Sequence, residues 1–507
     1  MLGLVVNNAA WQSRFFRQLQ QYSQRMTRSR QSYMLLALVQ IGFIVLGLLA
    51  YAPADGADGS DYYVHAAFLA GYDVPATFEA HPPVYPILIN LFFYQMKNIQ
   101  LLLILQVGMR LAGTLLLYAS LRPYSPLLAF AIALVVSADM QTQVVFNFTA
   151  TEPAYMFLLI VAFALLLFQL NSKSKRATQS GDIGLAVVLV LAAYTRSVGR
   201  YLLGPFALVF LLKTRSLKRT AILLIAYVVV LQGFIILYQW AFKIERVQAG
   251  TQSDGLLMQP LTRSGLLDKG DGTASEQIVP IISDCTPPYS VCVYEAQGRQ
   301  AGQRLIRDAY IEMVRAHPVD YVIGVLNNIT DFLSLSGLQF SSASPAQAQC
   351  DDVEARAEMN YVSYLEGSGG LVVGDVEVNE AVFREVLAEQ AGQLCPPWPE
   401  SEIARSVVDW IGWRYRSLAR PTPWIWYGGL FVLMGLIPVM RRFWPVGSAA
   451  LFITVYHAGM SALIYNVQPR YAVVTNPFRA ILLLLVVYIV LHTVLRIFDE
   501  YLVRRHQ

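Results

Sequence analysis

Charge is what this chain has least of. Its 38 basic and 34 acidic residues make up 14% of 507, where soluble domains carry about 25%. Cysteine is scarce too, with four in the whole chain. The first shortage excludes an ordinary cytosolic globular protein and, with 55% apolar residues, a disordered one. The second excludes a small disulfide scaffold. Also missing are a Walker loop, a GxGxxG, an HExxH, a paired CxxC and any repeat of about 20–50 residues. What is present is apolar sequence, with a mean hydropathy of +0.45. The composition therefore predicts a mainly α, polytopic membrane protein with one polar insert.

Apolar runs long enough to cross, or nearly so, lie near 33–51, 100–120, 126–142, 153–170, 183–196, 199–213, 219–241, 424–440, 444–465 and 477–497. That is about ten spans. Spans 183–196 and 199–213 are short and read as tilted or bent. The run Val84–Met96 follows Pro82-Pro83 and is too short to cross, which makes it interfacial or re-entrant. The first run exceeds the apolar core of a signal peptide, although Ala50-Tyr51-Ala52 is a small-x-small step. It reads as an uncleaved span.

Residues 1–32 hold five arginines and no acid, which predicts a cytoplasmic N-terminal tail. An inside start then puts Arg122, Lys173, Lys175, Arg176, Lys213, Arg215, Lys218, Arg219, Arg441 and Arg442 in cytoplasmic loops, and Arg504 and Arg505 in a cytoplasmic C-terminal tail. The domains expected are a tail (1–32), a membrane module (33–241) with a first outer loop at 52–83, an extracytoplasmic insert (242–423), and C-terminal spans with their tail (424–507).

The insert carries 24 acids and 14 bases, leaving the rest of the chain at +14. It holds all four cysteines, and an exported compartment favours disulfides. Cys285–Cys292 with Cys350–Cys395 is one of three pairings. Residues 242–298 read as loop from their Gly, Ser, Asp and Pro content. Arg299–Ala316 has helical periodicity, Val319–Leu335 is amphipathic enough to lie on a membrane surface, and Asn379–Leu394 and Ser401–Ala419 read as helices with mixed faces. An acidic exported domain, with basic residues confined to span ends, argues against a nucleic-acid partner.

Ionisable groups in or beside spans are costly and call for a reason. Between Val84 and Trp240 the acids are Asp139, Glu152 and Asp182. Asp182 falls on the cytoplasmic side, where solvation explains it. Asp139 and Glu152 fall at the outer face. So do Arg196 and Arg200, whose i, i+4 spacing puts them on one helical face. Arg470 lies in the last outer loop. The first outer loop adds Asp55, Asp58, Asp61, Asp73, Glu79 and His81. Arginine binds phosphate bidentately and keeps its charge at low polarity, and a carboxylate nearby can act as general base toward a hydroxyl. Together they suggest displacement of a lipid phosphate from a sugar.

Each residue also has a structural reading. Arg196 and Arg200 would serve as interfacial anchors. Thr149-Ala150-Thr151-Glu152-Pro153 is a helix start in its own right. Asp61 after Ser60 complements a helix dipole, whereas no helix rule demands Asp58. His81 suits a structural hydrogen bond. Asp55, Asp58 and Asp61 offer oxygen ligands to a divalent cation.

Four segments resemble the membrane-embedded GT-C glycosyltransferases, in particular the protein O-mannosyltransferases and the lipid A aminoarabinose transferase group. They are Asp58-Gly59-Ser60-Asp61-Tyr62-Tyr63 with the helix to Gly71, His81-Pro82-Pro83-Val84-Tyr85-Pro86, Thr151-Glu152-Pro153, and Tyr194-Thr195-Arg196 running on to Pro205. Gln468-Pro469-Arg470-Tyr471 is a thinner match. The resemblance implies an inverting transfer from a polyprenyl-phosphate sugar to a lipid, glycan or protein acceptor, in a bacterial inner membrane. It implies Asp58 or Asp61 as base, Arg196 or Arg200 on the donor phosphate, and Glu152, Arg470, Tyr471, His81 and Tyr62 around the substrate. Many relatives show Asp-Glu where this chain has Asp58-Gly59. Two other classes stay open: a transporter or lipid flippase, and a non-catalytic scaffold presenting the insert.

Overall fold

Apolar stretches in lipid satisfy their backbone by coiling into helices, and the computed structural model consists almost entirely of helices. It describes residues 21, 29–51, 54–55, 59–72, 82–172, 175–242, 257, 260–262, 272–283, 289–334, 385, 388–389, 401–419, 438–463 and 472–506. Among the described residues five helices are long and apolar enough to span: α1 (Arg30–Ala50), α4 (Gln100–Leu121), α7 (Thr151–Asn171), α10 (Leu217–Phe242) and the stretch Arg441–Leu463, which contains α16 (Trp444–Leu463). Around them run α5 (Pro126–Ser137), α8 (Lys175–Thr195), α9 (Leu203–Thr214) and α17 (Asn476–His506). The chain is an integral membrane protein of the polytopic helical class. Of the expected span at 424–440 only residues 438–440 are described, at the start of the 3-10 helix Pro438–Phe443.

α7 is the centre of the bundle. Of its apolar window 67% is buried, against 17% for α10. It packs on α4 and α8, where small residues let the backbones approach: Ala162 and Ala164 on α7, Ala186, Ala192 and Ala193 on α8, all buried. Tyr118, Tyr155, Phe163, Phe206 and Phe210 fill the same core.

Val84–Ile89 (α3) continues as a π-helical stretch, Asn90–Gln95. The two together are twelve residues of apolar helix, short of a span as expected. They pack on α2 (Gly59–Leu69), which ends where Gly71 takes φ +92°. α2 starts at Gly59, so Ser60 lies inside it rather than at its cap.

The run 126–142 is not one span. α5 stops at Ser137, and a second short helix, α6 (Met140–Val145), begins after Asp139. Both ends of this break are met by charge. Arg110, buried in mid-α4, donates from Nη2 to the Val136 carbonyl. Asp139 caps α6, accepting from the Thr142 amide at 3.3 Å and from its hydroxyl. Cation at a helix C-terminus and anion at an N-terminus are the favourable assignments. Asn476, at the start of α17, also donates to Asp139, at 2.9 Å. Asp139 is thus a buried structural acid.

Asp182 departs from the expectation of a solvated acid. It is not solvated but 3% exposed, with Arg219 3.7 Å away. The sequence placed it near a span end, and the packing of α8 against α10 covers it.

Residues 242–298 are not all loop. Helices form at α11 (Thr273–Ser283) and α12 (Tyr289–Gln297), followed by α13 (Arg299–Ala316) and α14 (Pro318–Ser334). Ile278, Val293, Ile306, Ala309 and Met313 form their shared core. Burial of this kind overrides weak local propensity. Glu312 on α13 receives the amides of Ala274 and Ser275 at 2.9–3.2 Å, capping α11 from another helix. Cys292 on α12 is disulfide-bonded. Cys285, Cys350 and Cys395 lie outside the described residues. Of the helix expected at Asn379–Leu394, only residues 385 and 388–389 are described; Glu389 pairs with Lys97 at 3.2 Å.

α14 packs on α16, and the Tyr321 hydroxyl donates to the Leu463 carbonyl at 3.0 Å. Val319, Val322, Ile323 and Leu326 form an exposed apolar face on α14, in keeping with its expected amphipathic character. α15 (Glu402–Ala419) packs on the end of α1 and on α6.

Candidate active site at the Glu152 end of the bundle

A two-residue parallel ladder joins the first loop to the start of α7. β1 (Ala54–Asp55) pairs with β2 (Phe148–Thr149), Ala54 opposite Phe148 and Asp55 opposite Thr149. The backbone three residues before Asp58 is therefore hydrogen-bonded next to the helix start that bears Glu152.

Aromatic residues fix this arrangement. The Tyr85 ring meets Tyr62 edge-on at 5.4 Å, and its hydroxyl donates to Gln106 at 2.9 Å. The amide of Gln106 donates in turn to the Phe146 and Phe148 carbonyls, both at 2.9 Å. The Pro82-Pro83-Val84-Tyr85 step thus acts through one tyrosine to hold β2 in place. Tyr94 adds a hydrogen bond to the Tyr63 carbonyl at 3.1 Å.

Glu152 lies in the first turn of α7. The expected helix start is there, with Glu152 in the first turn and Pro153 just inside, but the cap residue is Ala150 and no threonine side chain caps it. Glu152 Oε1 accepts from Arg196 Nη1 at 2.6 Å. Thr151 Oγ1 is 3.4 Å from Glu152 Oε2 and 3.5 Å from both Arg196 Nη1 and the Tyr62 hydroxyl. Three separate segments, carrying Tyr62, Thr151-Glu152 and Arg196, meet here.

Arg196 and Arg200 do not share a helical face. α8 ends at Thr195, Arg196 is extended (φ −150°, ψ 134°), and Ser197–Tyr201 forms a 3-10 turn. The turn is folded tightly onto the end of α8, because Gly199 sits against the Ala192 carbonyl with no room for a Cβ. Arg196 turns in to Glu152, while Arg200 is exposed and lies 6.0 Å over Tyr201. Spacing alone assumed an unbroken helix.

α16 supports the cluster from below. The Tyr456 hydroxyl donates to the Val198 carbonyl, holding the 3-10 turn. His457 is 2% exposed. Its Nδ1 faces the Ile453 carbonyl at 2.7 Å, and Nε2 faces the Tyr155 hydroxyl at 2.9 Å. In a neutral imidazole this puts the proton on Nδ1 and makes Nε2 the acceptor. Tyr155 is one helical turn from Thr151, so His457 lies directly beneath the cluster. Sequence reasoning missed His457, and it read Thr151 only as part of the Thr151-Glu152-Pro153 segment. A histidine inside an apolar run, at His457, was the available signal.

Asp58, His81, Arg470 and Tyr471 lie outside the described residues; Asp61 is in the first turn of α2. Among the described residues no group of three or more His, Cys, Asp or Glu could hold a metal ion. A cavity of about 530 Å³ lined by Leu211, Leu212, Arg215 and Trp444 lies at the opposite end of the bundle.

No protein-family profile and no curated protein matches the chain. Among solved structures it is similar to ArnT from Cupriavidus metallidurans bound to undecaprenyl phosphate, at 13% identity and a TM-score of 0.35, covering 85% of this chain and 76% of that one. It is also similar to the Archaeoglobus fulgidus oligosaccharyltransferase in complex with Zn and sulfate, at 11% identity and a TM-score of 0.35, covering 81% of this chain and 56% of that one. Likeness at this level assigns no family and no residue correspondence.

Proposed function

We propose that this protein is a membrane-embedded glycosyltransferase that moves a sugar from a polyprenyl-phosphate donor to an acceptor hydroxyl at the Glu152 end of the bundle. The supporting observation is the meeting of Tyr62, Thr151, Glu152 and Arg196, which come from three of the four segments that carry the sequence resemblance. In this reading a first-loop carboxylate, Asp58 or Asp61, takes the proton of the acceptor hydroxyl. The acceptor oxygen attacks the anomeric carbon from the face opposite the phosphate. The carbon–oxygen bond to phosphate breaks, its electron pair stays on the phosphate, and polyprenyl phosphate leaves. The product is inverted.

Glu152 orients Arg196 rather than acting on substrate. Arg196, the arginine of the pair that turns in to the cluster, holds the donor phosphate together with Arg470; a guanidinium keeps its charge there whatever the local polarity. Tyr62, His81 and Tyr471 line the sugar. Asp55, Asp58 and Asp61 could also share a divalent cation through oxygen ligands. The reaction takes place on the extracytoplasmic face of a bacterial inner membrane.

A flippase is the second reading, favoured by the broken α5–α6 span, since discontinuous helices recur in transporters. Proteoliposomes loaded with polyprenyl-phosphate sugars together with acceptor lipids and glycans from bacterial envelopes separate the two. Transfer releases polyprenyl phosphate. Flipping moves the lipid across with every bond intact, and that result would overturn the enzyme reading.

A further inference from the structure

α15 was expected as a helix of mixed faces, and its surroundings give those faces a use. It begins against the last residues of α1. The Ser401 amide donates to the Leu49 carbonyl at 2.8 Å, and Arg405 Nε donates to the Ala50 carbonyl at 3.4 Å. The Arg405 guanidinium also lies 5.8 Å over the Tyr51 ring. One face of α15, with Ala404 and Val408, is buried with Ala50 and Met140. The adjacent face carries Ile403, Val407 and Trp410 at i, i+4 and i+7, with Trp413 beside them, and all four are exposed. Arg414 stands over both indoles, 5.6 Å from Trp410 and 4.7 Å from Trp413.

An exposed stripe of Ile, Val and two Trp would be a liability in water. Here it is seated on a helix that is itself long and apolar enough to cross a membrane. α1, on which α15 is seated, exposes Leu38, Ile41 and Val45 along its length. α15 joins α1 at the end of that apolar stretch, where hydrocarbon gives way to headgroups. Tryptophan is enriched at this depth because its ring is apolar and its N–H is polar. Arginine there reaches the phosphates while its stem stays in the apolar layer.

We propose that α15 is an interfacial helix whose Ile403, Val407, Trp410 and Trp413 face sits in the headgroup layer of the leaflet at the Glu152 end, with the phospholipid bilayer as its partner. Its consequence is mechanical. The segment before the last spans is held to the membrane at two points, the end of α1 and the leaflet itself. That fixes α6, which α15 also touches, and with it the chain leading to β2.

The test is tryptophan quenching in vesicles. The full chain is reconstituted in phosphatidylcholine that carries bromine near the glycerol end of the acyl chain. Emission of the Trp410→Phe/Trp413→Phe protein is subtracted from that of the unaltered protein. The difference emission is expected to be blue-shifted, quenched by the brominated lipid and insensitive to aqueous iodide. Quenching by iodide without quenching by bromine would place the stripe in water and overturn the proposal. Insensitivity to both would place it under protein and overturn it equally. Phenylalanine preserves the apolar bulk at two exposed positions, and the single Trp413→Phe protein repeats the measurement should the double variant misfold.

Discussion

The carboxylate of Glu152 on α7 and the guanidinium of Arg196 beyond α8 stand 2.6 Å apart, with side chains only 6% and 12% exposed. A pair withdrawn this far from water is costly to break from one side, because the remaining charge is stranded. Glu152→Gln is expected to lower stability by about 3 kcal/mol, read as a shift in thermal unfolding in detergent. The double variant Glu152→Gln/Arg196→Gln should lose less than the two single losses added together. Strict additivity would mean that the two groups are not coupled.

Gly199 and Gly204 make a matched pair of tests. A Cβ at Gly199 would stand 2.7 Å from the Ala192 carbonyl carbon and 3.0 Å from the Ala193 Cα, both backbone atoms that cannot swing away. Gly199→Ala is expected to cost about 1–3 kcal/mol and to displace the turn that follows Arg196. Gly204, in α9, has nothing within 4 Å of its added Cβ. Gly204→Ala should be neutral or stabilising by up to about 1 kcal/mol. Thermal unfolding of the two variants side by side checks the contrast.

Glu312 caps α11 through the amides of Ala274 and Ser275 and through the Ser275 hydroxyl. Removing an N-terminal cap costs about 1–2 kcal/mol. Glu312→Ala should therefore raise amide hydrogen exchange across Thr273–Ser283 while leaving α7 protected. Equal exchange in both proteins would show that the cap contributes nothing.

Cys292 is disulfide-bonded, and we propose Cys285 as its partner, with Cys350 bonded to Cys395. Proteolysis without reductant, followed by mass spectrometry, should recover residues 285 and 292 in one unreduced peptide or linked pair. A link from Cys292 to Cys350 or Cys395 would replace this pairing.

The sequence carried the fold class because the bilayer dictates helix length, and runs such as 100–120 and 153–170 became α4 and α7 within a few residues. It could not show the break after Ser137. An apolar run reads the same whether or not a buried Arg110 and a capping Asp139 interrupt it. Asp182 was misjudged for a related reason, since burial depends on the neighbouring helix. α11 and α12 were hidden by Gly, Ser and Pro because their stability comes from packing around Ile278 and Val293. Glu152 and Arg196 were legible as costly charges. That they touch, and that Arg200 turns away, follows from where α8 ends. His457 escaped notice because a lone histidine in an apolar run has no motif around it.

The most direct test of the proposed chemistry measures polyprenyl phosphate released from envelope-derived polyprenyl-phosphate sugars in proteoliposomes that also hold the envelope's acceptor lipids and glycans. The unaltered chain is compared with Asp58→Asn and Asp61→Asn, with equal amounts of folded protein in each. The account predicts release by the unaltered chain and its loss in one of the two variants. Full release by both variants would contradict it.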